Sequence, residues 1–82
     1  MTPTVLPCGD QALSFQLGER IDATTNARVI ALAKAVEDAA IAGILELVPT
    51  YRALMVRYDP EIIRGAAVEA ALHALHAALD NA

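Results

Sequence analysis

Residues 46–60 read ELVPTYRALMVRYDP, and the parity of this stretch decides the fold. From Arg52 to Tyr58 one side of an extended chain carries Leu54, Val56 and Tyr58, and the other carries Ala53, Met55 and Arg57. The preceding residues 44–48, ILELV, extend equally well, so two strands follow one another through Pro49-Thr50. If Pro49-Thr50 is a two-residue loop, Val48 pairs with Tyr51, Glu46 with Ala53 and Ile44 with Met55. Pro-Thr is not a favoured tight pair, so a longer loop shifts that pairing by one and leaves the parity within each strand unchanged. The uniformly apolar face, Leu45, Leu47, Leu54, Val56 and Tyr58, is assigned to the core. The mixed face, with Ile44, Glu46, Val48, Tyr51, Met55 and Arg57, is assigned outward. Aliphatic anchors mixed with Tyr, Met and Arg are what protein interfaces favour over ordinary surface. Tyr51, Arg52, Met55 and Arg57 are the residues expected to carry such a contact.

Working outward, residues 4–8, TVLPC, make a short strand that Pro7 confines to a sheet edge. Gly9-Asp10 is turn chemistry, and 12–17, ALSFQL, alternates with Leu13, Phe15 and Leu17 on one side. These two strands form a hairpin. A helix follows from Ala23 to about Ala42, with Asp22 as its N-cap and Gly43 placed as its left-handed C-cap. Its buried stripe is Val29, Leu32, Ala33, Val36 and Ala40, and Lys34 and Asp38 form a surface pair four residues apart. Asp59-Pro60-Glu61 reads as the start of a second helix running to about Leu79, whose stripe is Val68, Leu72, Leu75 and Leu79. The order β-β-α-β-β-α predicts an α+β two-layer sandwich, an antiparallel sheet with both helices on one face.

Eighty-two residues make one domain. A chain this short buries only about 60–65% of the surface its unfolded form exposes. Eighteen alanines and three aromatic residues give a core of small volume, which gains by packing on a neighbour. A net charge of −4 with six Lys and Arg excludes a nucleic-acid footprint. The single Cys8 cannot make an internal disulfide, which fits a reducing compartment. No signal peptide is read in MTPTVLPC, and no apolar run reaches the roughly 18 residues of a membrane span, so a cytoplasmic protein without membrane contact is expected. The end of the chain on a helix suggests a domain excised from a longer protein.

GDQALSFQLG at 9–18, the Ile21-Asp22 that follows, and above all ELVPTYRALMVRYDP resemble the N-terminal domain of a bacterial family. That family holds the B component of 5-oxoprolinase, allophanate hydrolase subunit 1 and the sporulation kinase inhibitor KipI. The strongest element is Glu46, Val48-Pro49, Tyr51-Arg52 and the apolar strand into Tyr58-Asp59-Pro60. The resemblance implies a DCoH-like ββαββα domain spanning residues 1–82, normally followed by a cyclophilin-like β domain that this sequence lacks. It also implies work alongside other subunits in ATP-dependent opening of 5-oxoproline to glutamate, or in hydrolysis of urea-derived amides. The KipI branch instead inhibits a sensor histidine kinase. Catalytic residues are expected in the cyclophilin-like parts, so none is carried onto this chain.

Glu69, His73, His76 and Asp80 line one helix stripe with a spacing that could hold Zn²⁺ or Ni²⁺. The preferred reading is a polar helix face with histidines near the helix C-terminus, and no metal. Cys8 beside a turn reads as packing rather than nucleophile. Gly9, Gly18, Gly43 and Gly65 are isolated, so no phosphate-cradling loop exists and ATP would serve the complete complex, not this domain. The expectation is a non-catalytic interaction domain of a 5-oxoprolinase or related amide hydrolase. Its partner is another subunit or a missing C-terminal domain, with a homodimer through the outer face also open. The alternative is a KipI-type inhibitor or dimerisation module.

Overall fold

The computed structural model of the chain describes residues 3–18 and 23–80. Strands β1 (Thr4–Pro7) and β2 (Ala12–Gln16) are followed by helix α1 (Ala23–Ala39). Strands β3 (Ile44–Pro49) and β4 (Ala53–Tyr58) and helix α2 (Gly65–Asp80) complete the expected α+β order. The sheet runs β1-β2-β4-β3 with every neighbouring pair antiparallel. β2 and β4 take the centre because theirs are the strands with a full apolar face. Leu13 stands opposite Val56 and Phe15 opposite Leu54. The helices cover that face with Val29, Leu32 and Val36 from α1 and Val68 and Leu72 from α2, all buried. Leu75 and Leu79 continue the α2 stripe half-buried against the same core.

The β3–β4 hairpin departs from the expected register. Thr50, not Val48, closes the ladder: its N–H donates to the Ala53 carbonyl at 2.8 Å, and its hydroxyl donates to the same oxygen at 3.0 Å. Tyr51 and Arg52 are therefore the two loop residues. Val48 pairs with Met55 and Glu46 with Arg57. A turn moved by two residues preserves side-chain parity, so the face assignment survives for Glu46, Val48, Met55 and Arg57. It fails at the other end of β3. A bulge places Leu45 and Glu46 together opposite Arg57, and Ile44 then pairs with Tyr58. Ile44 thus turns inward against the core and Leu45 outward, the reverse of the expectation.

Both helices are shorter than expected. α1 ends at Ala39, and the left-handed position falls on Ala40 (φ 49°), so Ala40 is exposed instead of lining the stripe. Gly43 also has a positive φ, 96°, but serves the entry to β3. Its carbonyl accepts the Asp59 N–H at 2.7 Å, and a Cβ there would meet the Ile63 methyl. Asp59 caps only one turn. Its carboxylate accepts the Glu61 N–H at 2.9 Å and its carbonyl accepts Ile62 and Ile63 at 3.0 and 2.9 Å. The chain then bends to lay Ile63 over Gly43, and α2 starts afresh where the Arg64 carbonyl accepts Val68 N–H at 3.0 Å. Gly65 fits there because a Cβ would run into the buried Tyr58 hydroxyl. The expected Asp22 cap lies outside the described residues.

These two positive-φ positions give opposite expectations. Ala40→Gly relieves a left-handed alanine and raises the stability by about 0.5–1 kcal/mol. Gly43→Ala adds that strain plus a clash and lowers it by roughly 1–3 kcal/mol. Urea denaturation of the two variants checks both signs.

Candidate functional site

The face of the sheet away from the helices is laid out by the ladder. One cross-strand row runs Leu6, Ser14, Met55, Val48. The next holds Ala12, Arg57 and Glu46, and the row on the other side holds Thr4, Gln16 and Ala53. The middle row is the apolar one: Leu6, Met55 and Val48 are 45%, 38% and 41% exposed. Ser14 and Ala12 are short, so the face dips along β2 between the Leu6 and Met55 side chains. Arg57 Nε donates to Glu46 Oε1 at 3.3 Å beside this row, with both side chains about half exposed. A pair so solvated contributes at most about 1 kcal/mol to folding. Its fixed polarity can orient an incoming partner, as rim charges do at interfaces.

Of the residues expected to share this surface, Glu46, Val48, Met55 and Arg57 are together on it. Tyr51 is 69% exposed but stands at the hairpin tip, at the end of the sheet, instead of pairing with Val48 on the face. Arg52 is exposed beside it, and its carbonyl accepts Leu17 N–H at 2.8 Å, so the loop is tied to β2. Ile44 is the correction: the bulge at Leu45 puts it half-buried in the core. Leu6 was missed. Its signal was available, since Val5 and Leu6 alternate and Val5 opposes Phe15.

The remaining chemistry-bearing side chains are spread about. His73 lies edge-on to Phe15, ring centroids 5.0 Å apart, and its Nε2 is 3.8 Å from Glu69 Oε1. His76 also meets Phe15 edge-on and sits 3.0 Å from the Arg28 guanidinium on α1. The two histidines therefore seat α2 on the sheet and tie it to α1. Among the described residues no three His, Cys, Asp or Glu side chains come together as a metal site, and the Asp80 carboxylate lies outside the described part of the chain. Cys8 is exposed next to the Gly9 turn. No buried side chain among the described residues is charged. A groove of about 440 Å³ between α1 and β3 is lined by Val36, Glu37, Ile41, Ile44 and Leu47, among others. No described helix is long and apolar enough to cross a membrane.

Introducing a carboxylate on either side of the sheet separates the two faces. Met55→Asp and Leu45→Asp stay within about 1 kcal/mol of the parent. Leu54→Asp and Leu47→Asp lose most of the folded population, because they bury or half-bury an unpaired charge. Far-UV circular dichroism against urea reads all four.

Comparison with known proteins bears on this arrangement. Residues 3–82 match the family model described as carboxyltransferase domain, subdomain C and D. A comparison with curated proteins found no match. Among solved structures, the conserved uncharacterized protein PH0987 from Pyrococcus horikoshii is similar at 38% identity and TM-score 0.83, over 90% of this chain and 34% of that one. The urea amidolyase of K. lactis is similar at 25% identity and TM-score 0.87, over 92% of this chain and 5% of that one. The N-terminal domain of the histidine kinase inhibitor KipI from Bacillus subtilis is similar at 32% identity and TM-score 0.63, over 74% of this chain and 62% of that one. The chain thus spans about a third of the first relative and a twentieth of the second.

Proposed function

The chain belongs to the family described as carboxyltransferase domain, subdomain C and D, and on that premise we propose that it is a non-catalytic interaction domain of a larger amide-processing enzyme. The resemblance to the allophanate hydrolase subunit 1 and KipI group agrees with the matches to the urea amidolyase and to KipI. These relatives place the same small domain within larger proteins, which carry partner domains or subunits. The enzyme we assign is an ATP-dependent 5-oxoprolinase, or a relative acting on urea-derived amides, with ATP used elsewhere in the complex. Localisation in the cytoplasm follows from that assignment.

One observation carries the reading: the row Leu6, Met55 and Val48 with the Glu46–Arg57 pair beside it, on a sheet face that neither described helix covers. An apolar centre with an ordered charged rim is the anatomy of a docking surface. The partner is another subunit or a domain that follows in a longer chain, and Tyr51 and Arg52 at the hairpin tip extend the contact beyond the sheet. A KipI-type inhibitor is the second reading. Identity favours it, 32% to the KipI domain against 25% to the urea amidolyase, whereas the superposition favours the enzyme, with TM-scores of 0.63 and 0.87.

Affinity capture from lysate of the source organism, with the parent and Met55→Asp as baits, distinguishes them. Recovery of hydrolase or carboxylase subunits by the parent and their loss with Met55→Asp is the expected result. A sensor histidine kinase in their place supports the inhibitor reading, and identical capture by both baits removes the outer face from either.

A further inference from the structure

The hydrogen bonds at the ends of the strands fix which backbone groups face out of the sheet. Cys8 N–H donates to the Ala12 carbonyl at 2.9 Å, so Cys8, Leu6 and Thr4 turn their amides toward β2. Pro7, Val5 and, just before the strand, Pro3 are left facing outward. At the opposite edge Thr50 N–H donates to the Ala53 carbonyl at 2.8 Å, so Thr50, Val48 and Glu46 face β4. Leu47 and Pro49 face outward. Beyond the bulge the Gly43 carbonyl bonds to Asp59, which turns Ile44 outward, and Ile44 N–H is already donated to the Ile41 carbonyl at 3.3 Å.

A bare sheet edge is a row of open donors and acceptors that templates another strand. Here the rows are interrupted. β1 offers Val5 between two prolines, and β3 offers Leu47 between Pro49 and a bulge. A joining strand requires donors at every second residue, and neither edge supplies two in register. Proline is tolerated in a strand only where its missing N–H faces away from the ladder, and both edges use that position.

We propose that Pro7 and Pro49 close the two edges of the sheet against strand addition by a second copy of this chain. Without them the domain would present four- and six-residue edge strands and extend its sheet edge to edge. The closure holds whichever partner the outer face takes.

The test uses the 82-residue chain with Pro7→Val and Pro49→Val together, followed by sedimentation velocity over a range of concentrations. Valine restores the N–H and suits a strand. The weight-average mass is expected to at least double at the highest concentration relative to the parent, with the circular dichroism spectrum retained. Pro60→Ala, a proline lost from the turn after β4 and outside both edge strands, is expected to sediment like the parent. Leu54→Ala, destabilised with its edge prolines intact, serves as the reference for association through unfolding. The proposal is overturned if the double variant keeps the parent's mass throughout, or if Leu54→Ala associates as strongly. Should the double variant lose its secondary structure, Pro49→Val alone is read by the same criteria.

Discussion

The pairing of β2 with β4, with Phe15 opposite Leu54 and Leu13 opposite Val56, is the constraint on which the rest of the molecule depends. These strands are separated in the chain by α1 and β3, so their ladder is a long-range contact that closes a loop over both elements. Once formed, it presents one continuous apolar face, and both helices pack there because nowhere else can their stripes be buried. Phe15 is fully buried at the middle of that face and meets the edges of both α2 histidines. With only three aromatic side chains in the chain, the volume of this one ring decides where α2 sits.

Placing the two strongest strands at the centre leaves the weaker ones, β1 and β3, at the edges. Their prolines then fall where no donor is wanted. The outer face inherits the opposite parity of the same four strands, a short apolar row with an ion pair beside it. Core, edges and candidate docking surface are therefore consequences of one ladder. The small, alanine-rich helices fit the same logic: both cover the same side of the sheet, and neither described helix covers the other side.

Much of this was legible in the residues. Strict alternation in ALSFQL and the uniformly apolar parity of Leu54, Val56 and Tyr58 in RALMVRY identified the inward residues of both central strands, and leucine–valine spacing identified the stripe of α2. What was not legible has physical reasons. Pro49-Thr50 looks like a turn by composition, but Thr50 closes the ladder with both its amide and its hydroxyl. Neither Tyr51 nor Arg52 takes a positive φ, so the real loop lacks the glycine or asparagine that marks a mirror-image hairpin turn. The bulge was hidden because Ile44 and Leu45 are equally apolar, and side-chain parity carries no information when both neighbours suit the core. Asp59-Pro60-Glu61 did begin a helical turn, as its chemistry required. The turn stops early because Ile63 covers Gly43 and because the restart needs a glycine under the Tyr58 hydroxyl. Those are tertiary demands, invisible to a local reading. The residues expected on the outer face divided in the same way: Glu46, Val48, Met55 and Arg57, on regular strand, lie on that face, and Ile44 and Tyr51, at the bulge and the loop, do not.

Native-state hydrogen exchange followed by NMR tests the ladder most directly. The account predicts that the amides of Leu13, Phe15, Leu54 and Val56, bonded between the central strands, are the slowest to exchange. The outward amides of Val5 and Leu47 are predicted to exchange at rates close to those of open loops. Protection of Val5 and Leu47 equal to that of Phe15 and Leu54 would contradict the strand order, the register and the closed edges together.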